Sequence, residues 1–110
     1  VNGNNFGPTP YELVASGLAA CTAMTIKMYA NRKNWPLEDV EVHVTYKKDH
    51  AEDTVHQNDK GARIDIFERE IKLTGDLDGH QRKKMLEIAN KCPVHKTMHS
   101  EVLVRTKLML

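Results

Sequence analysis

Thr9-Pro10-Tyr11-Glu12-Leu13-Val14-Ala15-Ser16-Gly17-Leu18-Ala19-Ala20-Cys21-Thr22-Ala23-Met24 is the stretch that decides the fold. Thr9 and Glu12 have the spacing of a capping box, in which the Thr oxygen takes a backbone N–H and the Glu reaches back to the cap. Pro10 suits the first helical position, where no N–H is needed. The helical pattern continues to about Lys33, roughly 35 Å at 1.5 Å per residue. Its first half is almost entirely small or apolar, so the spacing predicts a buried helix that another backbone can approach closely. Gly17 costs helix stability relative to Ala, and close packing is the reading that accounts for it. Cys21 shares a face with Gly17, Leu18, Met24 and Thr25.

Outward from this helix, Val1 to Pro8 is turn and loop chemistry. Trp35-Pro36 ends the helix, because proline disfavours helical geometry in the residue before it. Val40, Val42, Val44 and Tyr46 alternate with polar residues and predict a strand. Asp49 to Gly61 is polar and aperiodic and reads as a solvated loop, with His50 and His56 flanking Glu52 and Asp53. Ile64 and Ile66 lie on one phase of a second strand and Phe67, Ile71 and Leu73 on the other. That switch implies a bulge near Ile66-Phe67 or burial of both faces. Arg63, Arg69, Lys72 and Lys107 read as polar strand faces. Thr74-Gly75-Asp76 is a turn. Asp78 and Gln81 form a second capping box, opening a helix to about Lys91 with Met85, Leu86, Ile88 and Ala89 inward. Cys92 then caps a short helix that has Pro93 in its first position. Val102, Val104, Thr106 and Leu108 predict a last strand.

The order is helix, two strands, two helices, strand: an α+β fold with helices packed on an antiparallel sheet. Three strands cannot cover the apolar surface of the first helix, so a partner subunit is expected, as are further strands before Val1. The 110 residues make one domain. Sixteen basic against 15 acidic residues leave no nucleic-acid or anionic-membrane footprint. Lys27 and Arg32 are expected to keep the apolar run below membrane-spanning length. No signal peptide is evident. Two cysteines do not make a disulfide scaffold, and the chain reads as a cytoplasmic protein with two thiols.

Those thiols are the candidate chemistry. Cys92 at a helix start, between Lys91 and Lys96, is placed to ionise. Cys21, mid-helix in an apolar run, is inert unless a cation or hydrogen-bond donor reaches it. Either one reads equally well as a small core hydrophobe. Cys92, His95 and His99 also have the spacing of a zinc ligand set, with Cys21 as a fourth donor. Met24 and Met28 read as core fillers.

Gly7-Pro8-Thr9-Pro10-Tyr11-Glu12-Leu13, Ala19-Ala20-Cys21-Thr22-Ala23-Met24 and Cys92-Pro93-Val94-His95-Lys96 together resemble the OsmC/Ohr family of osmotically inducible and organic hydroperoxide resistance proteins. Trp35-Pro36-Leu37, Phe67-Glu68-Arg69-Glu70-Ile71 and Gly75-Asp76-Leu77 are similar to its branch fused to α/β-hydrolases. The resemblance spans essentially the whole chain as a single OsmC-like domain, residues 1–110, lacking N-terminal strands. It implies an intertwined homodimer with the long helices buried between sheets. It also implies a thiol-dependent peroxidase for organic hydroperoxides and hydrogen peroxide, with no metal or other cofactor. Cys21 falls at the peroxidatic position and Cys92 at the resolving one. The sulfenic acid on Cys21 would condense with Cys92 to a disulfide, which a cellular dithiol reduces; in better studied members this is a lipoyl protein. Leu18, Met24 and Met28 would offer an apolar substrate pocket.

The family activates its thiolate with an Arg from the N-terminal strands, held by a Glu. Here no Arg precedes Arg32. Tyr11 takes the Glu position, leaving the adjacent Glu12 as the candidate, rotated by about 100°. Two rival readings are a non-catalytic binding or stress protein with incidental thiols and a Cys/His metal-binding module.

Overall fold

The computed structural model describes residues 9–50 and 63–110. In chain order it comprises helix α1 (Pro10–Lys33), strand β1 (Leu37–His50), strand β2 (Arg63–Gly75), helix α2 (Gly79–Ala89) and helix α3 (Pro93–Met98). The expected readings of Val1 to Pro8 and of Glu52, Asp53 and His56 fall outside the described residues.

Helix α1 begins as its sequence requires. Glu12 N–H donates to Thr9 Oγ1 and Thr9 N–H to Glu12 Oε1, at 3.2 and 2.7 Å. It ends at Asn34, which adopts the left-handed conformation (φ 58°) that asparagine tolerates better than most residues. The buried residues are Ala15, Leu18, Thr22, Ile26 and Ala30, one stripe at helical spacing. The expectation of burial nearly all round is therefore corrected: within this chain Leu13, Val14, Met24 and Met28 are exposed. Lys27 and Arg32 also fail to shorten the apolar run. An 18-residue window of α1 reaches a mean hydropathy of 1.3, enough by length and composition to cross a bilayer. Within the chain, 28% of that window is buried, on the stripe that packs inward.

Strands β1 and β2 pair antiparallel, from Leu37 opposite Gly75 to His50 opposite Arg63, with one irregularity between Leu37 and Asp39. The ladder is continuous through Tyr46–Phe67 and Lys47–Ile66, so no bulge marks the phase switch. Ile66 and Phe67 are both half-buried, which is the both-faces alternative. Gly75 closes the sheet at φ +146°, where a Cβ would meet the Pro36 carbonyl oxygen at 2.2 Å. Arg82 pins this turn by donating to the carbonyls of Leu73, Gly75 and Leu77.

α2 opens with the Asp78–Gln81 capping box. Met85, Ile88 and Ala89 face inward as expected, whereas Leu86 is exposed. The core joins Ile26 and Ala30 of α1, Val40 of β1, Leu77, and Met85 and Ala89 of α2. The last predicted strand does not form. Residues 101–110 carry no regular structure and are exposed, so the sheet has two strands among the described residues. The alternation of Val102, Val104, Thr106 and Leu108 is suited to pairing, but no sheet edge among these residues receives it.

Candidate active site

Packing of α1 against α2 and α3 brings the two cysteines together. Cys92 caps α3 with Pro93 following it, and Lys96 N–H donates to its carbonyl at 3.0 Å. Its side chain is fully buried, while Cys21 is partly exposed. Both are free thiols, and each alters the other's ionisation. The backbone N–H groups of His95 and Val94, at the start of α3, favour the charged form of Cys92, and that of Val94 also favours it at Cys21.

This environment separates the two ionisations. Burial pushes the Cys21 thiol up, and the neighbouring Cys92 pushes it further. Burial also opposes a thiolate on Cys92. Hydrogen bonds from Cys21, from the His95 and Val94 N–H groups and from the Thr22 hydroxyl outweigh it, and the Cys92 thiol falls below the ordinary cysteine value. Cys92 is therefore the more acidic thiol of the two.

Sequence reasoning missed Arg69, which reads as a polar strand face but points inward. Its Nη1 donates to Thr22 Oγ1 at 3.0 Å and to the Ala89 carbonyl at 3.1 Å, and its Nη2 donates to Asn90 Oδ1 at 2.7 Å. One guanidinium thus ties β2 to α1 and to the end of α2. Arg69 lies on the same period-two phase as Phe67, Ile71 and Leu73, and that phase was the available signal. Thr22, next in sequence to Cys21, is fully buried and donates to the Leu18 carbonyl at 2.7 Å.

A cavity of about 530 Å³ is lined by Leu18, Ile64, Phe67 and Met98, with Arg69, His95 and His99 as its basic members and Asp65 as its acidic one. Of the three expected pocket residues only Leu18 lines it. Met24 and Met28 lie on the exposed face of α1, and Met28 borders a separate depression with Trp35 and Leu37. Glu12 closes the α1 cap, two and a half turns from Cys21, roughly 13 Å along the axis. His95 is held below the usual histidine range by burial, then by Arg69 and His99. Its ring packs on His99 with centroids 4.4 Å apart. Among the described residues no three His, Cys, Asp or Glu side chains converge as a metal requires, so Cys92, His95 and His99 do not form the expected ligand set.

These features define a class: a small α+β protein with a dithiol held between its long core helix and the cap of a short one. The chain belongs to the OsmC-like protein family, whose model matches residues 2–107. There is no match among curated proteins. Solved structures share the fold, among them the following three. An OsmC-like hydroperoxide resistance protein from Jannaschia sp. CCS1 has a TM-score of 0.68 and 21% identity, over 100% of this chain and 72% of that one. The organic hydroperoxide resistance protein OsmC from Legionella pneumophila gives 0.67 and 21%, over 88% and 66%. OhrB of Bacillus subtilis, also an organic hydroperoxide resistance protein, gives 0.60 and 24%, over 84% and 63%. The chain thus spans less than two thirds of the length of several structures it matches, 66% and 61% for two of them.

Proposed function

We propose that this chain is a thiol-dependent peroxidase that reduces organic hydroperoxides and, less well, hydrogen peroxide. The observation that carries this reading is the contact between Cys21 and Cys92, with Cys21 the more accessible of the two. Cys21 attacks the distal peroxide oxygen as its proton passes to the Cys92 sulfur. The O–O bond breaks, and the departing alkoxide takes a proton from water. This leaves Cys21 as a sulfenic acid and Cys92 as a thiol. Cys92 then ionises and attacks the Cys21 sulfur, hydroxide leaves with the proton as water, and a disulfide forms. A small dithiol or lipoyl protein reduces it by exchange, being itself oxidised to a disulfide. The cavity beside Leu18 accepts the alkyl group. The working form is a cytoplasmic homodimer, in which the exposed apolar face of α1 and the unpaired residues 102–108 are covered.

The test is intact mass after one equivalent of cumene hydroperoxide. Wild type should lose two hydrogens, and Cys92→Ser should gain one oxygen on Cys21. A second reading, a non-catalytic stress protein, is favoured by the engagement of Glu12 in the helix cap. It predicts that neither thiol changes within minutes.

A further inference from the structure

We propose that Arg69 is a positioning residue for disulfide formation, a strut that sets how closely Cys21 and Cys92 approach. Its Nη1 nitrogen bridges the two sides of their junction. It donates to the hydroxyl of Thr22, the residue next to Cys21, and to the carbonyl of Ala89. That carbonyl also accepts the Cys92 N–H, at 3.3 Å. The same guanidinium nitrogen is thus bonded to the neighbour of one cysteine and to the acceptor of the other's backbone N–H. Nη2 adds a further hold on the Asn90 side chain, in the turn that leads into Cys92. The Thr22 end is itself fixed, since that residue is fully buried and its hydroxyl donates to the Leu18 carbonyl.

A guanidinium is planar and presents its donors at fixed angles, so bonds to α1 on one side and to the end of α2 on the other fix their separation. The acceptors are all neutral: a hydroxyl, a carbonyl and a carboxamide. Among the described residues Arg69 makes no ion pair, so its charge strengthens these bonds instead. Where a strut restrains the reduced pair, little freedom is left for the disulfide to remove, and oxidation is favoured. Without it the dithiol relaxes while the disulfide does not, and the equilibrium moves toward the dithiol. By the same linkage, closing the disulfide tightens the Arg69 bonds. In the reaction proposed above, Arg69 would favour the step in which Cys92 attacks the sulfenic acid. The inference rests on that reading for its place in the cycle, but its test uses no peroxide, so the two can fail separately.

The experiment equilibrates the chain with glutathione and glutathione disulfide over a range of ratios. Oxidation forms the Cys21–Cys92 bond, breaks the S–S bond of glutathione disulfide and passes the two thiol hydrogens to the glutathione released. Acid quenching, alkylation and intact mass give the oxidised fraction for wild type, Arg69→Gln, Arg69→Lys, Thr22→Val, Asp78→Ala and the Gln/Val double variant. Arg69→Gln should lower the equilibrium constant by about tenfold, or about 30 mV. Thr22→Val frees one end of the strut and should lower it by a similar factor. Arg69→Lys keeps the charge and a donor and should restore part of the loss. The double variant should match Thr22→Val alone, since both changes break one connection. Asp78→Ala removes the α2 capping box, weakening the same helix from its other end, and should leave the constant at the wild-type value. An unmoved constant in Thr22→Val, an equal fall in Asp78→Ala, full additivity in the double variant, or a wild-type chain that forms only glutathione adducts would overturn the proposal. Thr22→Val is close in shape to threonine, so it keeps the test decisive should Arg69→Gln not fold.

Discussion

Cys21 of α1 and Cys92 at the cap of α3 meet at the junction of the two helices, and each alters the other's ionisation. Two helix segments far apart in sequence thus meet at a pair of sulfurs, and a covalent bond there would close a loop of about 70 residues. Such a cross-link removes chain entropy from the unfolded state, about 4 kcal/mol in the loop-closure model. Urea unfolding of the oxidised chain should therefore have a higher midpoint than that of the reduced chain, and Cys92→Ser should show no such difference. Equal midpoints with a confirmed disulfide would mean that bond formation strains the α1–α3 junction.

The opposed shifts of the two thiols predict a divided titration. Thiolate absorbance near 240 nm should rise in two steps belonging to the pair, the first below the ordinary thiol value and the second above it. Cys92 has the depressed value, so its contribution to stability is fully present above the unfolded value and is lost as pH falls through the folded one. Cys21 has the raised value, so its thiol form favours folding below the unfolded value, and that contribution is lost as pH rises through the folded one. Cys21→Ala removes a donor to Cys92 and should move the first step upward. A single step at the free-cysteine value in wild type would exclude the opposed shifts.

His95 should titrate below the usual histidine range in a carbon-detected imidazole NMR experiment, because burial and then Arg69 and His99 disfavour its charged form. Arg69→Gln should raise it only part of the way, since burial, the largest cause, remains. The unfolded chain binds the proton more readily than the fold does, so this residue lowers stability as pH drops below the ordinary histidine value. Histidine-selective spectra of His99→Gln should show a smaller upward movement of His95.

The parts of this fold that were legible in the sequence are those whose causes are local. Thr9–Glu12 and Asp78–Gln81 mark helix starts through hydrogen bonds spanning three residues, and both starts form as read. Cys92-Pro93 marks the start of α3 differently, through proline at the first helical position and without a side-chain cap hydrogen bond. Alternation identified β1 and β2 because each has a buried face within the chain. The same alternation at Val102–Leu108 failed, since a strand also needs an edge to pair with, and pairing is not written in one segment. Arg69 was misread for a related reason: its chemistry suggested solvent while its phase, shared with Ile71 and Leu73, placed it inward. Met24 and Met28 share a helix with Cys21, yet the choice of buried stripe comes from what packs on α1, so their separation from the cavity was not readable beforehand.

Gly75→Ala should destabilise the chain by about 3 kcal/mol, observed as a lower urea midpoint with unchanged slope. At φ +146° a side chain is strained, and the Cβ would fall 2.2 Å from the Pro36 oxygen, a backbone atom that cannot rotate away. The same turn receives three hydrogen bonds from Arg82, so the strain cannot be relieved without weakening those bonds. An unaltered midpoint would mean that the Trp35-Pro36 junction shifts freely.

The exposed apolar residues predict the oligomeric state. Met24 and Met28 are 62% and 64% exposed on α1, and Leu103 and Val104 are 74% and 79% exposed beyond α3. A stable dimer buries about 1,200–2,000 Å² in total, which these two apolar segments can supply together. Sedimentation velocity should therefore give twice the chain mass at micromolar concentration. Met28→Glu would place a charge in that face, and desolvating it without a partner costs several kcal/mol, so the variant should sediment as a monomer. Val104→Lys should weaken the dimer in the same direction if residues 101–110 pair with the second copy, and should leave it intact if α1 alone forms the interface. A wild-type chain that remains monomeric throughout this range would refute the homodimer, and the α1 face would then need a different cover.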